Sequence, residues 1–291
     1  MSHVNRNCIA VASAKSYGDF VIAHSILSTV AGPDLGRVRL IACPHVRELE
    51  AVLPRRVPVT WVDTAEPNVP ALFDVKKRGA WAAARSALRL RREFKKARRD
   101  REILAFDAIG FRERFIAGDW PAVTVGNKAA NIYHAYSRFL SEHHVAIQSA
   151  EAAPAPTVAR RAGIFPESRL ARKQLSAEVV ARILDGIAAA GIDASVFIMD
   201  GDATSSRESP SVVSIPRSFA SLGAALRSVD LVISADSLPA HLGEYYSRRV
   251  FVASLYPNEF WLPPRCFAAG RWGLVHERTA FSRSLNEFLL S

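Results

Sequence analysis

An acid, a hydroxyl and an imidazole lie close together in Asp236-Ser237-Leu238-Pro239-Ala240-His241. The apolar run before them, Leu231-Val232-Ile233-Ser234, reads as a short buried strand. Pro239 falls in the first turn of the helix that follows, where its missing N–H costs nothing. The polar groups therefore gather at a strand-to-helix turn, the place where an open α/β sheet binds ligands. The helix start offers unpaired N–H groups and a positive dipole end to an anion, and His241 adds a donor. The chemistry implied is capture of a phosphate or diphosphate.

A second concentration of chemistry is electrostatic. The formal net charge is +10, and it is unevenly spread. Residues 1–157 hold 23 Lys/Arg against 15 Asp/Glu, and residues 158–291 hold 15 against 13. Lys76 to Arg101 alone carry 12 basic and 2 acidic residues. Ala83, Ala87, Leu90, Phe94 and Ala97 recur at helical spacing and give an apolar stripe. Arg85, Arg89, Arg91, Arg92, Lys95, Lys96, Arg98 and Arg99 cover the other faces. A solvated amphipathic helix is one reading of this pattern. The near absence of balancing acids favours another, contact with an anionic partner. An anionic membrane attracts about 1 kcal/mol per nearby basic residue. Nucleic acid fits the charge but has no binding motif or aromatic interleaving behind it.

The elements that must position these residues alternate along the chain. Strands are expected at 8–12, 38–42, 57–62, 103–106 and 122–125, with helices over about 20–29 and 131–141. Ala/Pro-rich Ala150 to Thr157 breaks the pattern and reads as a linker. The alternation then restarts, with strands at 162–165, 195–199, 212–215, 231–234 and 249–253. Helices are expected over 176–190, opened by Ser176 and closed by Gly191, over 218–227, and over 282–290. Such alternation predicts parallel sheets of βαβ units. The expected fold class is α/β, with two Rossmann-like doubly wound domains, 1–150 and 158–291, facing a cleft. With 291 residues and 49% hydrophobic content the chain can fill two cores. No run approaches the roughly 18 apolar residues of a membrane span. The polar N-terminus lacks the apolar core of a signal peptide. Cys8, Cys43 and Cys266 match neither a disulfide framework nor a zinc site. These features predict a cytoplasmic protein.

Three segments, in order, give the chain a resemblance to a known family. Gly18-Asp19 follows the first strand. Pro166-Glu167-Ser168 has Lys173 seven residues after its proline. The third is Asp236 to His241. Together they resemble the lipopolysaccharide heptosyltransferase family, glycosyltransferase family 9, which has the two-domain GT-B fold. The resemblance runs in order through nearly the whole chain and is strongest after the linker.

The resemblance implies an inverting, metal-independent glycosyltransferase. In it Asp19 removes a proton from an acceptor hydroxyl, although a first-turn or capping acid is the simpler reading of its position. Lys173 neutralises the departing nucleoside diphosphate. Ser168 and Arg169 belong to the same donor loop, where Arg169 stands in place of a small residue. Asp202 is placed near the ribose, though Asp200-Gly201-Asp202 is also an ordinary turn. Asp236 contacts the donor sugar, while Ser237, Leu238 and His241 border the diphosphate. Alternatively Asp236 is a helix cap and His241 a satisfied first-turn histidine. Leu238 replaces a glycine, and its side chain obstructs close approach of backbone to phosphate. Trp261-Leu262-Pro263-Pro264 resembles a closing loop of the family, or serves core packing.

The expected partners are a nucleoside-diphosphate sugar, a phosphorylated glycan or glycolipid acceptor, and an anionic inner-membrane surface met through Arg85, Arg89, Arg92, Lys95 and Lys96. No cofactor, metal or nucleic acid is expected. The other reading is a non-catalytic scaffold, with Glu167 and Leu238 marking a lost donor site and the basic face binding an anionic membrane or polymer.

Overall fold

The apolar runs all form strands, and the strands pair in parallel. The computed structural model describes residues 8–64, 70–126, 129–148, 159–199 and 212–291. The whole of the expected linker, Ala150 to Thr157, together with Asp200-Gly201-Asp202 and hence Asp202, lies outside them. The chain divides into two compact units, 1–150 and 151–291.

In the first unit five strands, β1 (Cys8–Ser13), β2 (Val38–Ala42), β3 (Val59–Trp61), β4 (Glu102–Phe106) and β5 (Ala122–Thr124), lie in the order β3-β2-β1-β4-β5. Its helices are α1 (Tyr17–Leu27), α2 (Gly32–Leu35), α3 (Arg47–Ala51), α4 (Val75–Arg78), α5 (Ala80–Ala97), α6 (Phe111–Ala117) and α7 (Ile132–Glu142). β1 pairs with β2 on one side and β4 on the other. Connections leave β1 toward one sheet edge and later return to its other flank. The β1–β4 gap is therefore the switch point of this sheet, where ligands of such folds bind.

Helix α1 starts earlier than its sequence implies. Ser16 is its N-cap and accepts the Asp19 N–H at 3.2 Å. Gly18 and Asp19 thus occupy the first turn rather than a turn before the helix. The local glycine and acid look like a breaker, but a capping serine upstream outweighs them.

Helix α5 carries the basic segment. Ala83, Ala87, Leu90 and Phe94 are buried, and Arg85, Arg89, Arg92, Lys95 and Lys96 are exposed. Its C-terminus is tied to the sheet by a buried network. Arg39 on β2 grips Glu102 on β4 with two donors, at 2.7 and 2.5 Å. The same guanidinium donates to Thr60 Oγ1 at 2.7 Å and to the Ala97 carbonyl at 2.6 Å.

The second unit holds six strands, β6 (Arg161–Phe165), β7 (Asp193–Met199), β8 (Val212–Ile215), β9 (Leu231–Ala235), β10 (Arg249–Ser254) and β11 (Trp272–Leu274), in the order β11-β10-β9-β6-β7-β8. Helices α8 (Ala177–Ala189), α9 (Phe219–Arg227), α10 (Leu238–Tyr245), α11 (Pro264–Ala268) and α12 (Arg278–Leu290) connect and flank them. Ser176 caps α8 as its sequence predicts, and Ser218 caps α9. β6 lies between β7 and β9, so the β6–β9 gap is the switch point here. Gly163 in β6 leaves room for the stacked rings of Phe165 and Phe197, since a Cβ there would sit 2.9 Å from the Phe165 ring. Among the described residues no helix is long and apolar enough to cross a membrane.

Breaking a buried ion pair leaves one charge uncompensated and costs about 3–5 kcal/mol. Glu102→Gln should therefore lower the urea midpoint of the first unit by that equivalent. Because the pair is buried, the loss should persist at 0.5–1 M salt. An unchanged midpoint would remove the Arg39–Glu102 pair from the account of how α5 is held.

Candidate functional site

The carboxyl ends of β6 and β9 bring together several of the residues that the resemblance places on the donor side. Asp236 directly follows β9, and its carboxylate Oδ2 accepts from Lys173 Nζ at 2.7 Å. The same oxygen accepts from Asn258 Nδ2 at 2.5 Å, from the segment after β10. Asp236 is buried and Lys173 half-buried. Asp236 is therefore not the helix cap; that position belongs to Ser237.

Ser237 makes no capping bond of its own. Its hydroxyl instead donates to the Glu167 carbonyl at 3.2 Å, joining the loops after β9 and β6. The Glu167 carboxylate accepts the Met199 N–H at the end of β7, at 2.9 Å. Glu167 thus braces three strand ends. Ser168 accepts the Leu170 N–H at 3.3 Å and shapes its own turn. Arg169 is exposed.

His241 is buried in α10, and its pKa is lowered to about 4. Burial is the main cause; the Asp236 carboxylate opposes it and the Lys173 ammonium reinforces it. The imidazole is neutral near pH 7, so it meets an anion as a hydrogen-bond donor and not as a cation. The positive charge here comes from Lys173, and Asp236 neutralises it. The open start of α10 adds the polar N–H groups that attract anions.

Leu238 is the first residue of α10 and is half-buried. The left-handed non-glycine residues described are Arg101, His144 and Ser247, so the backbone at Leu238 does not demand glycine. Leu262 is core, whereas Trp261 is half-buried against Phe260 with ring centroids 5.2 Å apart. Glu244, further along α10, accepts the Arg265 and Cys266 N–H groups at 2.7 and 3.0 Å and so fixes the start of α11.

The carboxyl ends of β1 and β4 gather a second set, in the first unit. Asp19 is half-buried in the first turn of α1. Asp107 directly follows β4, and Tyr136 of α7 donates to it in a very short hydrogen bond. Lys15, just before α1, lies 3.0 Å from Glu113, whose other oxygen accepts the Gly110 N–H at 2.8 Å. Glu113 is partly desolvated, which alone would raise its pKa, yet Lys15 and Gly110 hold it below the usual value. Among the described residues no three His, Cys, Asp or Glu side chains gather in a metal-binding arrangement.

Sequence reasoning identified Lys173, Asp236, Ser237 and His241, and they meet at one gap. It missed Asn258, Asp107 and Tyr136. Asn258 and Asp107 each sit just past a strand end, and that was the only sign the sequence offered.

No family model matches the chain, and no curated protein matches it in sequence. Solved structures match it across both units. A glycosyltransferase family 9 structure from Veillonella parvula is 15% identical, with a TM-score of 0.60 over 99% of this chain and 96% of that one. The E. coli ADP-heptose lps heptosyltransferase II is 12% identical, with a TM-score of 0.55 over 97% and 98%. The E. coli heptosyltransferase WaaC with ADP-2-deoxy-2-fluoro heptose is 11% identical, with a TM-score of 0.55 over 84% and 88%. The chain shares the fold of these enzymes, two Rossmann-like units of the GT-B class.

The folded-state pKa of His241 lies below the ordinary 6.5. The unfolded chain then binds the extra proton first, so this contribution is intact above pH 6.5 and is lost as pH falls toward 4. The full loss is on the order of 3 kcal/mol. Urea titrations of wild type and His241→Asn between pH 7 and 4 should show a shallower acid slope in the variant. Parallel slopes would contradict a buried neutral His241.

Proposed function

We propose that the chain is an inverting glycosyltransferase that moves a heptose-like sugar from a nucleoside diphosphate to lipopolysaccharide or another cell-surface glycan. The observation that carries this reading is the meeting of Lys173, Asp236, Ser237, His241 and the start of α10 at the β6–β9 gap. The shared fold supports it, and the ADP-sugar named with one similar structure makes ADP the first nucleotide to try.

In this reading the acceptor oxygen forms a bond to the anomeric carbon on the face opposite the diphosphate. The bond from that carbon to the diphosphate breaks, and its electron pair leaves with the phosphate oxygen. Lys173 and the N–H groups of α10 stabilise that charge. The acceptor proton passes to Asp19. Asn258 keeps hold of Asp236 when Lys173 turns to phosphate, so the acid stays in place to meet the sugar. Ser168, Arg169 and Asp202 remain donor-side candidates.

We also propose that α5 meets the acceptor's anionic membrane. Arg89 pairs with Asp63 and Lys96 with Glu93, while among the described residues Arg85, Arg92 and Lys95 have no ion-pair partner. Trp81 and Leu88 lie exposed on the same helix, and an aromatic beside cations is what an interfacial helix presents. A non-catalytic scaffold is the second reading. It draws on Lys173 being already neutralised and on Leu238 at the mouth of α10.

Thermal unfolding with millimolar nucleoside diphosphates separates the two. Ligand at about 100 times its dissociation constant adds about 2.7 kcal/mol. The shift should vanish in Lys173→Met and survive in Asp19→Asn. Asp19→Asn should also lose sugar transfer by a factor on the order of 10²–10⁴. Absence of a shift with every nucleotide favours the scaffold. For the membrane, replacing Arg85, Arg92 and Lys95 by Gln should weaken binding to phosphatidylserine vesicles on the order of 100-fold. Equal binding would detach α5 from that role.

A further inference from the structure

The first unit contains a group that the transfer chemistry above does not use. Asp107 stands at the carboxyl end of β4, and β4 is the immediate neighbour of β1 in the sheet, with Val11 opposite Ala105. Asp19 lies in the first turn of α1, shortly after β1, so both residues stand at the carboxyl ends of the two strands that flank the switch point. Tyr136 is buried in α7 and its hydroxyl donates to Asp107 Oδ1. That bond fixes one oxygen of Asp107. Packing between α1 and α7 keeps the tyrosine and the Asp19 helix in register.

We propose that Asp107, anchored by Tyr136, is a positioning residue for Asp19, and that the two carboxyls act as one pair that takes up a single proton. The proposal rests on Asp19 being the transferase base. An isolated carboxylate is a weak base near neutral pH, and efficiency improves as a base's proton affinity approaches the working pH. Two carboxyls in one site provide this, because ionising the second against the first is costly. In the transfer step the proton leaves the acceptor oxygen, enters the Asp19–Asp107 pair and departs to water when the product is released.

The electrostatics agree with this geometry. Asp107 is half-exposed as a residue, yet its carboxyl is desolvated, and its pKa is raised to about 7. Burial is the largest cause and the Asp19 charge the next; the Tyr136 hydrogen bond and the Lys15 ammonium pull the other way. Tyr136 is itself held well above its ordinary pKa by burial and by both acids, so it stays a donor. Lys15 is shared with Glu113 of α6, which limits how far it neutralises the pair.

The test is a carbon-13 NMR titration of the aspartate-labelled full chain, with the Asp107 signal identified by its loss in Asp107→Asn. In the wild type this signal should titrate well above ordinary carboxylates. Asp19→Asn removes the like charge and should lower that midpoint by about 1 pH unit or more. Tyr136→Phe removes a donor to the ionised form and should raise it. Shifts of opposite sign are not expected from a merely structural role. An ordinary midpoint, or one unmoved by Asp19→Asn, overturns the pair.

The second measurement is the pH profile of kcat/KM for sugar transfer. In Asp107→Asn the rising limb should move to lower pH by about 1 unit and reach a lower plateau. Transfer with an unmoved limb would overturn the positioning role and leave the transferase reading intact. A coupled titration in a chain that transfers no sugar would overturn the transferase reading and leave the pair intact.

Discussion

A parallel sheet whose connections run both ways from one strand leaves a gap between two loops at its carboxyl edge. Each half of this chain is organised around such a gap, beside β1 and β4 in one unit and beside β6 and β9 in the other. Everything with chemical potential follows from that constraint. Strand ends deliver Asp107 and Asp236; the loops and helices that follow deliver Asp19, Lys173, Ser237 and His241. The helices then start with their unpaired N–H groups turned toward the same edge. Neither gap needs a special backbone conformation, since the described left-handed non-glycine residues are Arg101, His144 and Ser247.

The two gaps handle charge differently. At β6–β9 one carboxylate, Asp236, holds an ammonium and an amide, and burial keeps the nearby imidazole neutral. The local sum is close to zero, so an arriving diphosphate gains little from bare Coulomb attraction. In the proposed function it gains by exchange: Lys173 swaps one anion for another, while the Asn258 amide, already on Asp236, keeps that acid from being stranded. An unpaired buried carboxylate would be costly, and the amide reduces that cost. At β1–β4 two acids face one shared lysine, and the excess is negative. An acidic gap is suited to receiving protons, and a neutral one that can open is suited to phosphate.

The fold was largely readable because it rests on local signals. Apolar runs marked the strands, and the helix starts expected at Ser176, Ser218 and Asn131 coincide with side-chain caps in the structure. The misplaced start of α1 shows the limit of such signals. Gly18-Asp19 has the composition of a turn, but the Ser16 hydroxyl satisfies the Asp19 N–H and draws both into the helix. Half of the candidate site at the β6–β9 gap was legible for the same reason, since Asp236 to His241 is one contiguous turn. Lys173 needed a motif to be noticed, because nothing in a run of basic residues says which one folds inward. Tyr136 had no sign in the sequence, and Asn258 had only its place a few residues past β10. Each meets its acid across 22 or 29 residues of chain, and neither residue type is unusual where it stands. Glu167 marks a lost donor site only in the scaffold reading; the sequence does not show that its carboxylate satisfies a backbone N–H on a neighbouring strand.

The basic helix raises a different question, namely why so much charge is tolerated on one element. The like charges on α5 repel one another and weaken the helix in isolation. Its docking rests first on its inner face, and two of its cations add to it, Arg89 pairing with Asp63 and Arg91 lying over the Phe115 ring of α6. Four apolar side chains bury one face, and the Arg39–Glu102 network fixes the C-terminal carbonyl from beneath. With the inner face carrying the stability, the outer face is free to hold unbalanced cations. The repulsion stored there is relieved whenever an anionic surface supplies the missing counter-charge. A helix so arranged is most comfortable when its outer face is covered, which favours a surface role for α5 over an idle solvated one.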